Sequence, residues 1–159
     1  MPEQNLILVI CTGNVCRSPM AEKLLQHALD AEGDPLSKLE VISAGVAAAY
    51  GQAASENSVA ALKRVGLDLS QHKSQPLTQE LLEGAFAIFG MTDSHIDVLR
   101  HYYPKLPDRV HLMRDFLGDG HDNQIPDPYG QDFDAYCVCF DSMVEAIPSI
   151  VTYLKDEYK

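Results

Sequence analysis

The chain has 159 residues and a hydrophobic share of 46%, which suits one globular domain over 1–159 and excludes a disordered polymer. Twelve Lys and Arg face 23 Asp and Glu, a net charge of −11 with no basic cluster. That balance argues against nucleic acid as a partner, and an anionic substrate has to be held by local donors rather than by the overall field.

Met1-Pro2-Glu3-Gln4-Asn5 has no basic region of the kind that opens a signal peptide. The apolar run 6–10 is far too short to span a bilayer, and no other stretch reaches about 18 apolar residues. The expectation is a soluble cytoplasmic protein with no membrane partner.

Leu6-Ile7-Leu8-Val9-Ile10 is a continuous, branched apolar run, which predicts a strand buried on both faces. The segment 11–17 follows. Ser18-Pro19 then predicts a helix start, with Ser18 as N-cap and Pro19 in the first turn. Met20, Ala21, Leu24, Leu25, Ala28 and Leu29 recur at helical spacing until Gly33-Asp34-Pro35 stops them. Further strands are predicted at 39–43, 85–89 and 109–113. Helices are predicted at 55–65, 78–82, 93–101 and 133–158, the last kinked or broken at Pro148. Residues 117–131 are rich in Gly, Asp and Pro and read as a long loop. Strands alternating with helices predict a doubly wound, three-layer α/β domain: a parallel sheet with helices on both faces. Such sheets bind ligands at the C-terminal ends of their strands, where Cys11 falls.

Cysteines occur at 11, 16, 137 and 139. A cytosolic chain of this size needs no disulfide, and the spacings C-x4-C and C-x-C lack the usual zinc pattern. No metal and no cofactor are expected. The informative segment is Cys11-Thr12-Gly13-Asn14-Val15-Cys16-Arg17, a C-x5-R loop between a strand and a helix. Its backbone N–H groups can converge into an anion nest, and the following helix adds its positive end. Gly13 tolerates backbone angles that other residues resist. Arg17 supplies a permanently charged fork that matches two phosphate oxygens. Each of these donors also favours the thiolate of Cys11, so one loop binds a phosphoryl group and activates a sulfur nucleophile. Cys16 reads either as a buried thiol or as a redox partner for Cys11.

A thiolate that displaces an alcohol or phenol needs an acid for the leaving oxygen. Pro126-Asp127-Pro128-Tyr129-Gly130 stiffens a loop around Asp127 and is the candidate source. The same residues read equally as a solvated turn.

The stretch LILVICTGNVCRSPMAE, residues 6–22, strongly resembles the active-site loop of the low-molecular-weight protein tyrosine phosphatase family. Ser43-Ala44-Gly45, Gln71-His72-Lys73-Ser74 and Asp127-Pro128-Tyr129-Gly130 resemble that family too, in its order and over nearly the whole chain. The resemblance implies a four-stranded parallel sheet and a phosphocysteine at Cys11, with Arg17 clamping the phosphate. Asp127 would be the acid in the first step and would activate water in the second. Thr12, Gly13, Asn14, Val15 and Cys16 would wrap the phosphate, and Ser18 would hydrogen-bond the thiolate. Asn14, Ser43 and His72 would form the network that fixes the loop; read without the resemblance, Ser43 is a strand-end cap and His72 a surface histidine.

A deep narrow loop with Tyr129 at its mouth favours phosphotyrosine. Thr12, where tyrosine-specific members carry Leu or Ile, is similar to the bacterial protein arginine phosphatases of the same family, as are SAGV at 43–46, SQPLT at 74–78 and Met91-Thr92. Tyr50 is the only ring in the segment 46–50 and a third candidate at the rim, beside Thr12 and Tyr129. The expectation places phosphotyrosine first and phosphoarginine next. The expected partner is a phosphorylated protein, met by a monomer or weak dimer. More distant readings are thioredoxin-coupled arsenate reduction, which lacks a cysteine relay because residues 17–136 contain none, and an inactive phosphopeptide-binding module.

Overall fold

The computed structural model describes residues 4–158; Met1, Pro2 and Glu3 of the N-terminal reading, and Lys159, lie outside them. The first apolar run forms β1, Leu6–Cys11, buried from Ile7 onward. It pairs in parallel with β2, Glu40–Gly45, on one side and with β3, Ala85–Gly90, on the other. β4, Val110–Leu112, joins β3, giving a four-stranded parallel sheet of order β2-β1-β3-β4.

Side chains alternate along β1, so each face of the sheet builds its own core. Ile7, Val9 and Cys11 pack with α1, Arg17–Glu32, and α5, Phe133–Glu157. Leu8 and Ile10 pack with Leu82 of α3, Gln79–Gly84, and Leu99 of α4, Asp93–Tyr102. Helix α2, Glu56–Lys63, adds Ala61 and Leu62 to the first core. Each fully buried Leu or Ile there contributes about 1.5–3 kcal/mol. The chain leaves β1 toward β2 and then crosses back to β3. The strand order therefore reverses beside β1, and a crevice opens at its carboxyl end.

Local signals hold where they are satisfied locally. Ser55 caps α2 by accepting from the Ser58 N–H, and Thr78 caps α3 by accepting from the Leu81 N–H. Three expectations are corrected. Helix α1 starts at Arg17 with Cys16 as N-cap, so Ser18 is not the cap; its hydroxyl is engaged elsewhere, as described below. β2 runs on to Gly45, whose N–H reaches the Gln75 carbonyl and whose carbonyl accepts from Leu77. Helix α5 is not broken at Pro148 but continues through it. That residue and Val144, whose carbonyl the missing N–H would have met, both lie on the exposed face, where water can serve the carbonyl. By length and composition alone α5 could cross a membrane, with a mean hydropathy of 1.4, but its stripe of Tyr136, Cys139, Met143, Ala146, Ile150 and Leu154 is buried in the core.

Candidate active site

Cys11 ends β1 and is buried at 2% exposure. The loop after it is drawn against β2 by backbone bonds from Val46 N–H to the Cys11 carbonyl and from Ala47 N–H to the Thr12 carbonyl, both 2.9 Å. Gly45 permits this approach: a methyl built there would lie 2.5 Å from the Thr12 carbonyl oxygen and 3.0 Å from the Asn14 nitrogen. Asn14 turns the loop in the left-handed region, at φ 57°. The backbone N–H groups of residues 12–16 make no hydrogen bond to any acceptor among the described residues. Five donors in one tight turn are the makings of an anion nest.

Arg17, 3% exposed, closes the same loop. Its Nη1 donates to the Ile125 carbonyl at 2.9 Å and its Nη2 approaches Thr12 Oγ1 at 3.4 Å. Asp127 Oδ2 lies 3.7 Å from Nη2. The buried Nε–H has no partner among the described residues. An unmatched guanidinium donor costs about 1–3 kcal/mol or more, so the position favours an anion that accepts from it. Asp127 is half exposed, and its Oδ1 accepts from the Tyr129 N–H at 3.0 Å, which holds the carboxyl in a turn of its own making.

Cys11, Thr12, Gly13, Val15, Cys16 and Arg17 line a cavity of about 250 Å³, closed at the rim by Gln52, Asp127 and Tyr129. Behind it, Ser18 Oγ sits 2.9 Å from Cys11 Sγ. Asn14 donates from Nδ2 to Ser18 Oγ at 2.8 Å and accepts at Oδ1 from the Gln75 N–H at 2.9 Å. His72 Nε2 lies 2.7 Å from the Asn14 carbonyl and must donate, because a carbonyl only accepts.

Ser43 joins the Asn14 network through Gln75 rather than directly, and Tyr50 lies away from the cavity. Ser43 does not touch Asn14: its hydroxyl donates to Glu22 Oε1 at 2.9 Å, and its carbonyl accepts from Gln75 Nε2 at 2.9 Å. Gln75, which the sequence singles out only as part of SQPLT, is the bridge between the two. Tyr50 is 76% exposed and does not line the cavity. Gly51, at φ 81°, turns the chain, and Gln52 takes the rim after its N–H bonds Ser74 Oγ at 3.0 Å. Cys16 Sγ faces the Tyr136 hydroxyl at 3.3 Å, and burial raises its thiol pKa. Cys11, Cys16, Cys137 and Cys139 are all free thiols. Burial pushes Cys139 up to about 12, so that thiol stays protonated. Among the described residues no group of three or more His, Cys, Asp or Glu is placed to hold a metal ion.

His95 is the residue the sequence reading missed. It is buried, and Nε2 stands 3.0 Å from Thr12 Oγ1. Burial, then the Arg17 charge, lowers its pKa to about 4. Its only local signal is the pattern Thr92-x-x-His95 at the start of α4, which forms a capping box.

The model of the low molecular weight phosphotyrosine protein phosphatase family matches residues 6–159. A protein-arginine-phosphatase of Geobacillus stearothermophilus is 35% identical over 151 residues, 95% of this chain and 97% of its own length. A low molecular weight protein-tyrosine-phosphatase of Acinetobacter johnsonii is 34% identical over 79% of this chain and 81% of its own length. The crystal structure of a low molecular weight protein tyrosine phosphatase from T. tengcongensis superposes with a TM-score of 0.85 at 34% identity, covering 94% of this chain and 99% of that one.

Proposed function

The chain belongs to the low molecular weight phosphotyrosine protein phosphatase family, and from that premise we propose that it acts as one domain, 1–159, hydrolysing phosphotyrosine in cytoplasmic proteins through a phosphocysteine. Cys11 thiolate attacks phosphorus as the bond to the phenolic oxygen breaks, and Asp127 gives that oxygen its proton. Water then attacks the phosphocysteine. Asp127, now ionised, takes the water's proton, the S–P bond breaks, and inorganic phosphate leaves with Cys11 again a thiolate. The N–H groups of residues 12–16 and the Arg17 fork bear the charge of the phosphoryl oxygens in both steps, so neither a metal nor a cofactor is required.

One observation carries this reading: the buried, unpartnered Nε–H of Arg17 beside the unbonded N–H groups of the loop that begins at Cys11. A second reading is phosphoarginine hydrolysis by the same steps, with the P–N bond broken and nitrogen protonated by Asp127. It is supported by the polar Thr12–His95 pair at the cavity wall and by the protein-arginine-phosphatase relative, whose match spans 95% of the chain. Phosphate release from matched phosphotyrosine and phosphoarginine peptides tests both. Activity on either one that survives Cys11→Ser would overturn the mechanism; Cys11→Ser is expected to bind phosphopeptide without turnover.

A further inference from the structure

His95 has no part in the chemistry proposed above, yet it is joined to the cavity wall. The Thr92 backbone N–H donates to its Nδ1 at 3.2 Å, so Nδ1 must present a lone pair. Burial and the neighbouring Arg17 keep the ring neutral. A neutral imidazole with an accepting Nδ1 carries its hydrogen on Nε2. Nε2 therefore donates to Thr12 Oγ1, 3.0 Å away. Arg17 Nη2 approaches the same oxygen at 3.4 Å. Thr12 is β-branched, so rotating χ1 to either neighbouring well would put its methyl or its hydrogen where the hydroxyl now stands.

We infer that His95 is a positioning residue: it pins the Thr12 hydroxyl in one rotamer at the cavity wall and so sets how the site ranks phosphoarginine against phosphotyrosine. The inference rests on the phosphatase reading and deepens it. A phosphoarginine leaving group carries N–H donors around the scissile bond, and a buried donor without an acceptor is costly. A phosphotyrosine ring carries none there. When phosphate oxygens draw Arg17 Nη2 to themselves, one lone pair of Thr12 is released to accept a substrate N–H, while His95 holds the other. Without His95 the hydroxyl is free to turn away, and only the guanidinium substrate loses a partner.

Two near-isosteric substitutions separate this role from capping of α4. Asn reproduces the position of Nδ1, so His95→Asn keeps an acceptor for Thr92 and loses the donor to Thr12. Gln reaches to the position of Nε2, so His95→Gln keeps a donor to Thr12. The kcat/KM values of each variant are measured on phosphoarginine and phosphotyrosine peptides of one sequence. The phosphoarginine-to-phosphotyrosine ratio is expected to fall about five- to ten-fold in His95→Asn and to stay within about two-fold of the parent in His95→Gln. Thr12→Val, which removes the hydroxyl at nearly constant volume, is expected to match His95→Asn, and adding His95→Asn to it is expected to change the ratio no further. An unchanged ratio in His95→Asn or Thr12→Val overturns the inference, as does a larger fall in His95→Gln than in His95→Asn, the order that capping alone would produce. Absence of phosphoarginine turnover in the parent protein overturns it too. The phosphatase reading fails separately, by inactivity of the parent toward both peptides.

Discussion

Asn14 spends an amide hydrogen on Ser18: Nδ2 donates to Ser18 Oγ at 2.8 Å. With that lone pair engaged, the hydroxyl's own hydrogen is free to point at Cys11 Sγ, 2.9 Å away. The charged form of Cys11 thus receives a donor whose direction is set by a second residue. Ser18→Ala removes a hydrogen bond to a charged group, worth about 1.5–3 kcal/mol, so kcat/KM on an aryl phosphate is expected to fall about 10- to 100-fold, and the unfolding midpoint to drop as well, because the buried Asn14 Nδ2 loses its acceptor. A fall of less than two-fold would mean that the hydroxyl does not serve the sulfur.

Asp127 gives a prediction of a different shape. Its carboxyl is half exposed, held by the Tyr129 N–H and 3.7 Å from Arg17 Nη2. The pair is one-sided, with Arg17 buried and Asp127 half exposed, so removing the carboxyl takes a counter-charge from a buried guanidinium and is expected to lower stability too. Asp127→Ala is expected to lower kcat/KM, which reads only the steps up to the phosphocysteine, by about 10²- to 10⁴-fold for leaving groups that need a proton, and far less for a nitrophenolate, which departs without one. Rates measured across a series of aryl phosphates should steepen against leaving-group acidity. Parallel slopes for parent and variant would sink the acid role.

Gly45 tests the architecture rather than the chemistry. No other residue fits at the end of β2, because a Cβ would meet the Thr12 carbonyl at 2.5 Å and the Ala48 Cβ at 2.7 Å. The two backbone bonds that draw the loop against β2 lie beside that contact. Gly45→Ala is expected to destabilise the fold by about 1–3 kcal/mol and to cut turnover by at least ten-fold, since the loop must shift. Urea unfolding and steady-state rates on one preparation check both. A variant that retains full activity would show that the loop does not depend on this approach.

What was legible in the sequence was what the chain settles locally. Five consecutive buried residues, Ile7 to Cys11, make up most of β1, and Ser55 and Thr78 cap helices beside themselves. Cys11 and Arg17 come together because the five residues of loop between them cannot separate them far. Ser18 was misread as a cap for a physical reason: a serine before proline satisfies the same local rule whether or not a sulfur and an amide compete for its hydroxyl. The contacts of Gln75, quoted only within SQPLT, and of His95 are not legible because their partners are remote, 61 residues from Asn14 to Gln75 and 83 from Thr12 to His95, and no periodicity encodes such a pairing. Tyr50 is the rim candidate because it is the only ring in 46–50, but a left-handed Gly51 places Gln52 there instead.

The burial that hides His95 from sequence reasoning also makes it a source of acid sensitivity. In the folded protein the ring takes a proton only near pH 4, whereas in the unfolded chain it does so near its ordinary value of 6.5. Between those values the unfolded state binds more protons, so lowering the pH favours unfolding; below about pH 4 both states are protonated and the effect is complete. The slope from this one group reaches at most about 1.4 kcal/mol per pH unit. Burial lowers His111 in the same sense, so the contribution of His95 has to be isolated by difference. Urea unfolding of the parent and of His95→Gln at pH 7 and pH 5 provides that difference. The parent is expected to lose more stability over this interval than the variant, which has nothing to titrate at that position. An equal loss in both would mean that His95 charges as easily inside the fold as outside it, and that its ring is not held neutral against Thr12.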